Sequence, residues 1–467
     1  MALTIADVVE AVSGRLVSGN PAEAVGEVSI NTRTLKPGEL YVAVKGERFD
    51  GNDFVEAALA ADACGAIVSR PVGHLPKELV AGRALIVVPD STGALQRLAR
   101  WVRRKSGARV VAIAGSAGKT TTKDVTAAFL GLEHRVMQTA GNLNNHIGLP
   151  LSLLQLRHGA DVAVVEVGMN HAGEISRLVA IAEPDVRVWT NVAEVHIEFF
   201  ASIEGIADAK AEILEGANAQ TVLVANADDP RVMARIGRFP GRVVTFGRAE
   251  GASVRITRVE DLGIDGTVSE VATEAGNLRL RIPLPGLTNV HNVVAAVAVA
   301  QQFDVPLEAI AERATTLQAG VHRGAVRRLG DGIVVLDDAY NSNPRALQAV
   351  LGVIAAEPRF ARRLAVVGEM LELGAHAQSL HEECGRTAAG VGLALLITVG
   401  GEAARALGRA AIAAGMPESD VRHTSTSEEA AEVAAAFVRP KDLVLVKGSR
   451  AIKTEVVVEK LVDAFPV

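Results

Sequence analysis

A glycine turn followed by a lysine and three threonines lies in the segment VVAIAGSAGKTTTK, residues 110–123. Glycine at positions 115 and 118 lets consecutive backbone N–H groups converge on a phosphate oxygen without Cβ clashes. Lys119 can then reach the outer phosphates of a nucleotide, and the Thr120 hydroxyl can hold Mg²⁺ at the positive end of the following helix. The pattern predicts a nucleoside triphosphate site, with an ordinary strand–helix turn as the alternative. Its residues are Gly115, Ser116, Ala117, Gly118, Lys119, Thr120 and Thr121.

Two polar features follow this turn. Glu166 closes an apolar strand, a position from which a carboxylate can hold nucleotide-bound Mg²⁺; a structural acid at a sheet edge is the alternative. The segment TAGNLNNHIGLP, residues 139–150, carries amides whose uncharged donors and acceptors suit phosphate oxygens and metal-bound water. An asparagine-rich turn would have the same composition. The amides are Asn142, Asn144 and Asn145.

A histidine and a lysine further along the chain are weaker candidates. His196 is a candidate metal ligand, although a lone histidine is more often a satisfied surface or core residue. Lys210 stands among small and acidic residues and, taken alone, is typical of a solvated lysine on a helix. Neither residue identifies a site without its neighbours.

The elements that must position these groups alternate between apolar runs and helical segments, which predicts parallel sheets with crossover helices. Several apolar runs end in a polar residue, and ligands of open α/β sheets bind beyond the carboxyl ends of the strands. We therefore expect two active edges that face each other across a cleft. The strand-end residues are Glu166, Asn191, Asn226, Asp228 and Asp229 in the middle of the chain, and Asp337, Asp338, Glu369 and Lys447 near its end.

Composition excludes several other classes of protein. The 467 residues are 49% hydrophobic and 22% charged, which is enough for buried cores and argues against disorder. Aromatic residues make up 3% and the net charge is −6, so we expect no nucleic-acid partner. No apolar run is long enough to span a bilayer and no leader is evident at the N-terminus, so we expect a cytoplasmic protein without membrane insertion.

Three blocks separate by pattern, which predicts an α/β protein of three domains. Residues 1–84 form a small N-terminal α/β domain, residues 85–318 a central P-loop-type domain with a parallel sheet, and residues 319–467 a C-terminal Rossmann-like domain. The last block begins after a loop rich in glycine, histidine and arginine.

The order of the motifs resembles the Mur ligases, which add amino acids to cell-wall precursors. The central block matches through AGSAGKTTTK, TAGNLNNHIGLP, EVGMNHAGE, HIEFF and DAKAE. DDAYNSNP, VVGEMLELG and LVKGSRAIKTE in the last block resemble the branch that joins D-alanyl-D-alanine to UDP-N-acetylmuramoyl-tripeptide. The N-terminal NTRTLKPGELYVAVKGERFDGNDF is similar to the UDP-binding domain of that branch. The resemblance thus covers nearly the whole chain.

The resemblance implies an ATP- and Mg²⁺-dependent ligase that works through an acyl phosphate. Lys119 and the turn amides would hold the ATP phosphates, and Thr120 and Glu166 would ligate Mg²⁺. His196 would bind a second Mg²⁺, and Lys210 matches the lysine that related ligases carbamylate. The implied catalytic residues are Lys119, Lys210, His196 and Arg323, and the implied metal ligands are Thr120, Glu166, His196 and Lys210.

The resemblance also implies contacts with the nucleotide and with both substrates. Arg323 would reach the nucleotide from the C-terminal domain, whose closure would complete the site. The further nucleotide-binding residues would be Asn289, Asn292, Asp338 and Tyr340. The substrate-binding residues would be Thr32, Arg33, Asn142, Asn144, Asn145, Asn341, Asn343, Glu369 and Lys447. We expect a monomer with no nucleic-acid partner.

Two alternatives stay open at this point. Another acid–amino-acid ligase, of the diaminopimelate-adding or folylpolyglutamate type, shares the phosphate turn. The DNPR motif of the diaminopimelate- or lysine-adding relative is absent, since Ser342-Asn-Pro-Arg345 has a different context. A nucleotide switch without ligase activity is the second alternative, although it would need neither Lys210, His196 nor the complete third block. The third peptide residue of the substrate, lysine or diaminopimelate, is not determined by the sequence.

Overall fold

The first part of the chain forms a five-stranded sheet and a short two-stranded sheet. The computed structural model describes residues 1–46, 48–71, 73, 75–195 and 197–467. The strands are β1 (Leu3–Thr4), β2 (Arg15–Ser18), β3 (Ala24–Val25), β4 (Val28–Ser29), β5 (Leu40–Val42), β6 (Gly65–Val68) and β7 (Ala84–Val87). The helices are α1 (Ile5–Val12), α2 (Val55–Ala60) and α3 (Lys77–Val80). The larger sheet has the order β2-β7-β6-β5-β4, with β2 antiparallel to β7.

Strand β7 crosses the position where the first block is predicted to end. Its residues pair in parallel with β6, so the first sheet extends to Val87, beyond the predicted boundary at residue 84. The break in sequence pattern near residue 85 therefore falls inside a strand. The domain boundaries at 84 and 318 stay predictions.

The central part forms a nine-stranded sheet. Its strands are β8 (Arg109–Ala114), β9 (Val136–Gln138), β10 (Val162–Glu166), β11 (Val186–Trp189), β12 (Val222–Asn226), β13 (Arg242–Gly247), β14 (Val254–Asp261), β15 (Thr267–Thr273) and β16 (Gly276–Ile282). The helices are α4 (Ser91–Ser106), α5 (Lys119–Leu130), α6 (Gly148–Leu154), α7 (Glu174–Ala182), α8 (Ile203–Ala211), α9 (Pro230–Met233), α10 (Leu287–Ala300) and α11 (Leu307–Ala314).

The strand order of this sheet determines which polar strand ends lie side by side. The order is β16-β15-β14-β13-β12-β11-β8-β10-β9, parallel from β9 to β14, with β15 and β16 antiparallel. Strand β8 therefore lies between β10 and β11, and the polar residues that follow these three strands meet at one edge. Val111 and Ile113 of β8 pack with α5 and α10 on one face, and Ala112 and Ala114 face the other core. Burial on both faces explains the continuous apolar runs.

The last part forms a six-stranded sheet of order β17-β18-β22-β19-β20-β21. Its strands are β17 (Ala325–Arg328), β18 (Val334–Asp338), β19 (Arg363–Gly368), β20 (Leu395–Val399), β21 (Val421–Thr424) and β22 (Leu443–Lys447). The helices are α12 (Pro344–Ala355), α13 (Ala377–Ala389), α14 (Glu402–Ala413), α15 (Ser427–Phe437) and α16 (Glu455–Ala464). Only the edge strand β17 runs antiparallel. The predicted α/β fold class with parallel sheets is confirmed.

Both cysteines, Cys64 and Cys384, are buried and unbridged. Among the described residues, no helix combines the length and the apolar composition that crossing a bilayer requires.

Candidate functional site

The phosphate turn, residues 115–118, joins β8 to α5 and requires glycine at both ends. Gly115 and Gly118 have φ values of 152° and 79°. A Cβ at Gly115 would lie 1.9 Å from Oγ1 of Thr190, and one at Gly118 would lie 2.2 Å from Oδ1 of Asn292. Backbone conformation and crowding therefore both exclude a side chain at these positions.

Asn191, at the end of β11, holds the turn through its backbone and its amide. The Ser116 N–H donates to the Asn191 carbonyl oxygen (3.0 Å), and the Ala117 N–H donates to Asn191 Oδ1 (2.9 Å). The Asn191 amide nitrogen donates in return to the Ala117 carbonyl oxygen (3.0 Å). Two of the predicted phosphate donors thus have internal partners. The N–H groups of the first turn of α5, which begins at Lys119, are the donors left for an anion.

Two lysine side chains converge on one carbonyl oxygen of this turn. Nζ of Lys119 lies 2.8 Å and Nζ of Lys210 3.3 Å from the Gly115 oxygen. Lys210 comes from α8 and is buried, so it is not the solvated lysine that its neighbours in sequence suggest. Burial lowers its pKa well below the usual value, and the neighbouring Lys119 ammonium lowers it further. Burial also lowers the pKa of Lys119; the Glu166 carboxylate raises it in part and Arg323 lowers it.

Glu166 ends β10, the strand beside β8, and its carboxylate is buried. Its Oε1 has no hydrogen-bond partner among the described residues and lies 3.7 Å from Nζ of Lys123. Lys123, on α5, donates to the Thr139 carbonyl oxygen (2.8 Å) and is itself buried. A buried carboxylate oxygen without a hydrogen bond is a suitable ligand for a cation, because burying it unpaired is costly.

The residues present suit a Mg²⁺ ion that takes most of its ligands from the nucleotide and few from the protein. Among the described residues, no group of three or more histidine, cysteine, aspartate and glutamate side chains could hold a metal ion. Mg²⁺ usually takes one or two protein carboxylates and completes its shell with phosphate oxygens and water. Glu166 and the Thr120 hydroxyl are the donors for this arrangement. His196, the predicted ligand of a second Mg²⁺, lies outside the described residues.

The three asparagines of the 139–150 segment have different environments. Asn145 Oδ1 accepts the N–H groups of Ile147 (3.1 Å) and Gly148 (2.8 Å), the residue at which α6 begins. The Asn144 side chain lies beside Gly168, two residues beyond Glu166. Asn142 is exposed. Their roles in substrate binding stay predictions.

Asn292, one of the predicted nucleotide-binding residues of α10, lies against the phosphate turn. Asn292 is buried on α10, and its Oδ1 lies 3.4 Å from the hydroxyl of Thr122 on α5. Its amide nitrogen lies 3.4 Å from Oδ1 of Asn289, whose own amide donates to the Pro285 carbonyl oxygen (2.8 Å). The two asparagines thus form a short chain of hydrogen bonds that leads to α5.

Five predicted residues of the C-terminal domain come together at the carboxyl end of β18. The buried Lys447 donates to Asp338 Oδ2 (2.6 Å) and to the Asn341 carbonyl oxygen (2.9 Å). The guanidinium of Arg323 lies 3.8 Å from the centre of the Tyr340 ring, a cation–π contact. The Lys447–Asp338 ion pair and the Arg323–Tyr340 contact therefore lie at neighbouring positions of one strand end.

Two predicted substrate residues of this domain have structural partners. Asn343 Oδ1 accepts the Ala346 N–H (2.9 Å) and caps α12. Glu369 Oε2 accepts the Gly401 N–H (2.5 Å) where α14 begins. In the N-terminal part, Thr32 is half-buried and the exposed Arg33 donates its backbone N–H to Asn31 Oδ1 (3.0 Å). Their contacts with substrate stay predictions.

The central and C-terminal edges face each other, as the strand-end residues predict. Nη1 of Arg345, on α12, lies 3.4 Å from the Val192 carbonyl oxygen beside the phosphate turn. The Glu198 N–H lies 3.4 Å from the Glu372 carbonyl oxygen. Arg323 is also close enough to Lys119 to affect its pKa.

Comparison with known proteins accounts for this arrangement. Residues 24–103 match the model of the Mur ligase family catalytic domain, residues 113–300 the Mur ligase middle domain, and residues 322–450 the Mur ligase glutamate ligase domain. The UDP-N-acetylmuramoyl-tripeptide–D-alanyl-D-alanine ligase of Escherichia coli is 34% identical over 99% of this chain and 98% of its own. The Bacillus subtilis enzyme of the same name is 32% identical with the same coverage. The chain belongs to the Mur ligase family.

Solved structures agree with this assignment. The crystal structure of MurF from Acinetobacter baumannii has a TM-score of 0.89 at 29% identity, covering 99% of each chain. MurF from Thermotoga maritima in complex with ADP has a TM-score of 0.82 at 28% identity, covering 94% of this Mur ligase and 97% of that chain. A Mycobacterium tuberculosis folylpolyglutamate synthase, 19% identical with a TM-score of 0.63, shares the fold.

Proposed function

We propose that this Mur ligase uses ATP to join D-alanyl-D-alanine to UDP-N-acetylmuramoyl-tripeptide in the synthesis of peptidoglycan precursors. The choice of substrates is supported by the relatives of that name, which match nearly the whole chain. The chemistry is supported by one observation above the others. Lys119 and Lys210 converge on the Gly115 oxygen at an edge that faces Arg323 of the C-terminal domain.

ATP is needed because a carboxylate and an amine at neutral pH form a salt rather than an amide. A carboxylate oxygen of the tripeptide attacks the γ-phosphorus, ADP leaves, and an acyl phosphate forms. The amine of the dipeptide then attacks the acyl carbon, loses a proton, and inorganic phosphate leaves. Each step brings anions together, so cationic side chains must neutralise charge and align the reacting groups.

Residues of both the central and the C-terminal edge contribute to this reaction. Lys119 and the first N–H groups of α5 bind the β- and γ-phosphates, and Arg323 approaches the nucleotide from the other edge. Thr120 and Glu166 hold Mg²⁺, which neutralises phosphate charge when bound. Lys210, whose buried amine has a lowered pKa, is the residue for carbamylation. The role of His196, the lysine modification, a monomeric state and a cytoplasmic location stay predictions.

The test is phosphate release that depends on the amine substrate. With ATP, Mg²⁺ and a UDP-linked tripeptide, D-alanyl-D-alanine should stimulate release, whereas diaminopimelate and glutamate should not. Lys119→Ala should abolish the stimulated release, because the outer phosphates lose the cation that binds them. Stimulation by diaminopimelate or glutamate instead would favour another acid–amino-acid ligase. Tripeptides that differ only at the third residue would identify the preferred substrate.

A further inference from the structure

The segment from Ser342 to Arg345 contains polar groups that the proposed reaction has not yet used. Arg345 is exposed in the first turn of α12, and within the described ranges it forms no ion pair. Its one hydrogen bond, to the Val192 carbonyl oxygen, is long at 3.4 Å and therefore weak. Ser342 is buried, and its hydroxyl has no hydrogen-bond partner in the part of the chain that the structure describes. The guanidinium is therefore open to a ligand, and the enclosed hydroxyl lacks the partner that a buried polar group usually has.

Other cations of this edge are engaged. Lys447 is paired with Asp338, and Arg450 with Glu455 at 2.6 Å. Arg323 is stacked on Tyr340. Arg345 thus offers an unpaired guanidinium, and the positive end of α12 lies beside it. A guanidinium and an unpartnered hydroxyl together suit a carboxylate.

Arg345 lies close to the phosphate turn of the central edge. Val192 lies between Asn191, which binds Ala117, and Ala193, whose carbonyl oxygen accepts the Ser116 hydroxyl at 3.2 Å. The guanidinium therefore lies next to residues that contact the phosphate turn. A dipeptide spans at most about 7 Å, so its carboxylate must lie within that distance of the reacting amine.

We propose that Arg345 and the Ser342 hydroxyl bind the terminal carboxylate of the incoming dipeptide. The proposal rests on the proposed ligase function and adds a specificity-determining contact to it. The bound carboxylate replaces the weak bond to Val192 with a charge-assisted bond and fixes the direction of the dipeptide. Its amine then points toward the phosphate turn of the central domain.

The test compares D-alanyl-D-alanine with D-alanyl-D-alaninamide, which lacks only the terminal charge. The wild-type enzyme should use the acid with a kcat/KM about 10- to 100-fold higher than the amide. Arg345→Gln should lower kcat/KM for the acid by a similar factor and leave the amide within about threefold, with KM for ATP unchanged. Arg345→Lys should retain part of the preference, and Ser342→Ala should reduce it less than Arg345→Gln does.

Arg409→Gln is the matched control. Arg409 lies on α14, exposed and paired with Glu402, and its loss should leave the acid-to-amide ratio unchanged. An equal ratio in wild type and Arg345→Gln would overturn the proposal, and so would a rise in KM for ATP in place of the lost preference, since that indicates a phosphoryl contact. Failure of wild type to ligate the dipeptide would instead refute the proposed function.

Discussion

The phosphate turn and the Ser342–Arg345 segment differ in how their polar groups are held. The turn has its Ser116 and Ala117 N–H groups bound by Asn191 and both of its end glycines packed against neighbouring side chains. In the other segment, counting partners among the described residues, the Ser342 hydroxyl has none and the Arg345 guanidinium has a single weak one. The polar groups of the turn are already held in place before the triphosphate binds. The Ser342 hydroxyl and the Arg345 guanidinium would form their strong hydrogen bonds only when the amine substrate binds.

This difference corresponds to what each edge has to bind. The phosphate groups of ATP carry most of the charge in the reaction, and a fixed surface stabilises that charge without reorganisation. The C-terminal edge has to admit a small dipeptide after the acyl phosphate forms, which favours groups that can move. We therefore expect substitutions in the turn to have larger effects than substitutions in the C-terminal edge.

Gly115→Ala should have the largest effect. The new Cβ would lie 1.9 Å from Thr190 Oγ1, so the turn or β11 must shift, and Gly115 also carries the carbonyl oxygen that the two lysines share. Displacement of catalytic groups by about 1 Å costs roughly 100-fold in rate. Steady-state phosphate release should fall by at least that factor. Gly237→Ala is the control, because no atom lies within 4 Å of its added Cβ; equal activity of the two variants would contradict the prediction.

Asn191→Ala should have a smaller effect on the same turn. It removes the two amide hydrogen bonds to Ala117 and leaves the backbone bond to Ser116 in place. Each bond contributes about 1 kcal/mol, so KM for ATP should rise by roughly 10- to 30-fold. Isothermal titration with a non-hydrolysable ATP analogue would measure the binding directly. Unchanged affinity would mean that the turn keeps its shape without Asn191. The hydrogen bonds of Asn191 would then not explain why the turn is more rigidly held than the Ser342–Arg345 segment.

Sequence predicted the phosphate turn better than it predicted the partners of that turn. Gly115, Gly118 and Lys119 are recognisable because local backbone geometry dictates them. The role of Asn191 depends on β11 lying beside β8, which is not its neighbour in the chain. From sequence alone, Lys123 is indistinguishable from an ordinary surface lysine on a helix. The structure shows that it is buried beside Glu166.

Capping and ligand binding give the same sequence signal. Asn145, Asn343 and Glu369 are predicted substrate residues, yet their side-chain oxygens accept backbone N–H groups at helix starts. Short polar side chains after a strand suit both tasks, so composition alone does not separate them. The context of Ser342-Asn-Pro-Arg345 differs from that of the DNPR motif, so sequence does not identify Arg345 as a site residue. Its place beside Val192 depends on how the central and C-terminal sheets face each other.

His381 provides a test in the C-terminal domain that does not involve the turn. It is buried, its Nε2 accepts the Met370 N–H (2.9 Å), and burial lowers its pKa below 6.5. Because the unfolded state binds the proton more readily, the free energy of unfolding should fall as pH drops below about 6.5 and level off below the folded-state pKa. The difference in Tm between pH 7.5 and 5.5 should be larger for wild type than for His381→Gln. Equal differences would refute this linkage.

Asp265→Asn should have the smallest effect, although it breaks a visible contact between the central and C-terminal parts. Asp265 pairs with Arg328 (2.5 Å) and with Arg359, but all three side chains are substantially exposed. Pairs of this kind contribute less than about 1 kcal/mol, because water and salt screen them. The free energy of unfolding should therefore change by less than that amount, and turnover should stay within about twofold. A larger loss of turnover with unchanged stability would show that the two edges depend on this ion pair for their alignment, and the fixed turn would then not be the main determinant of activity.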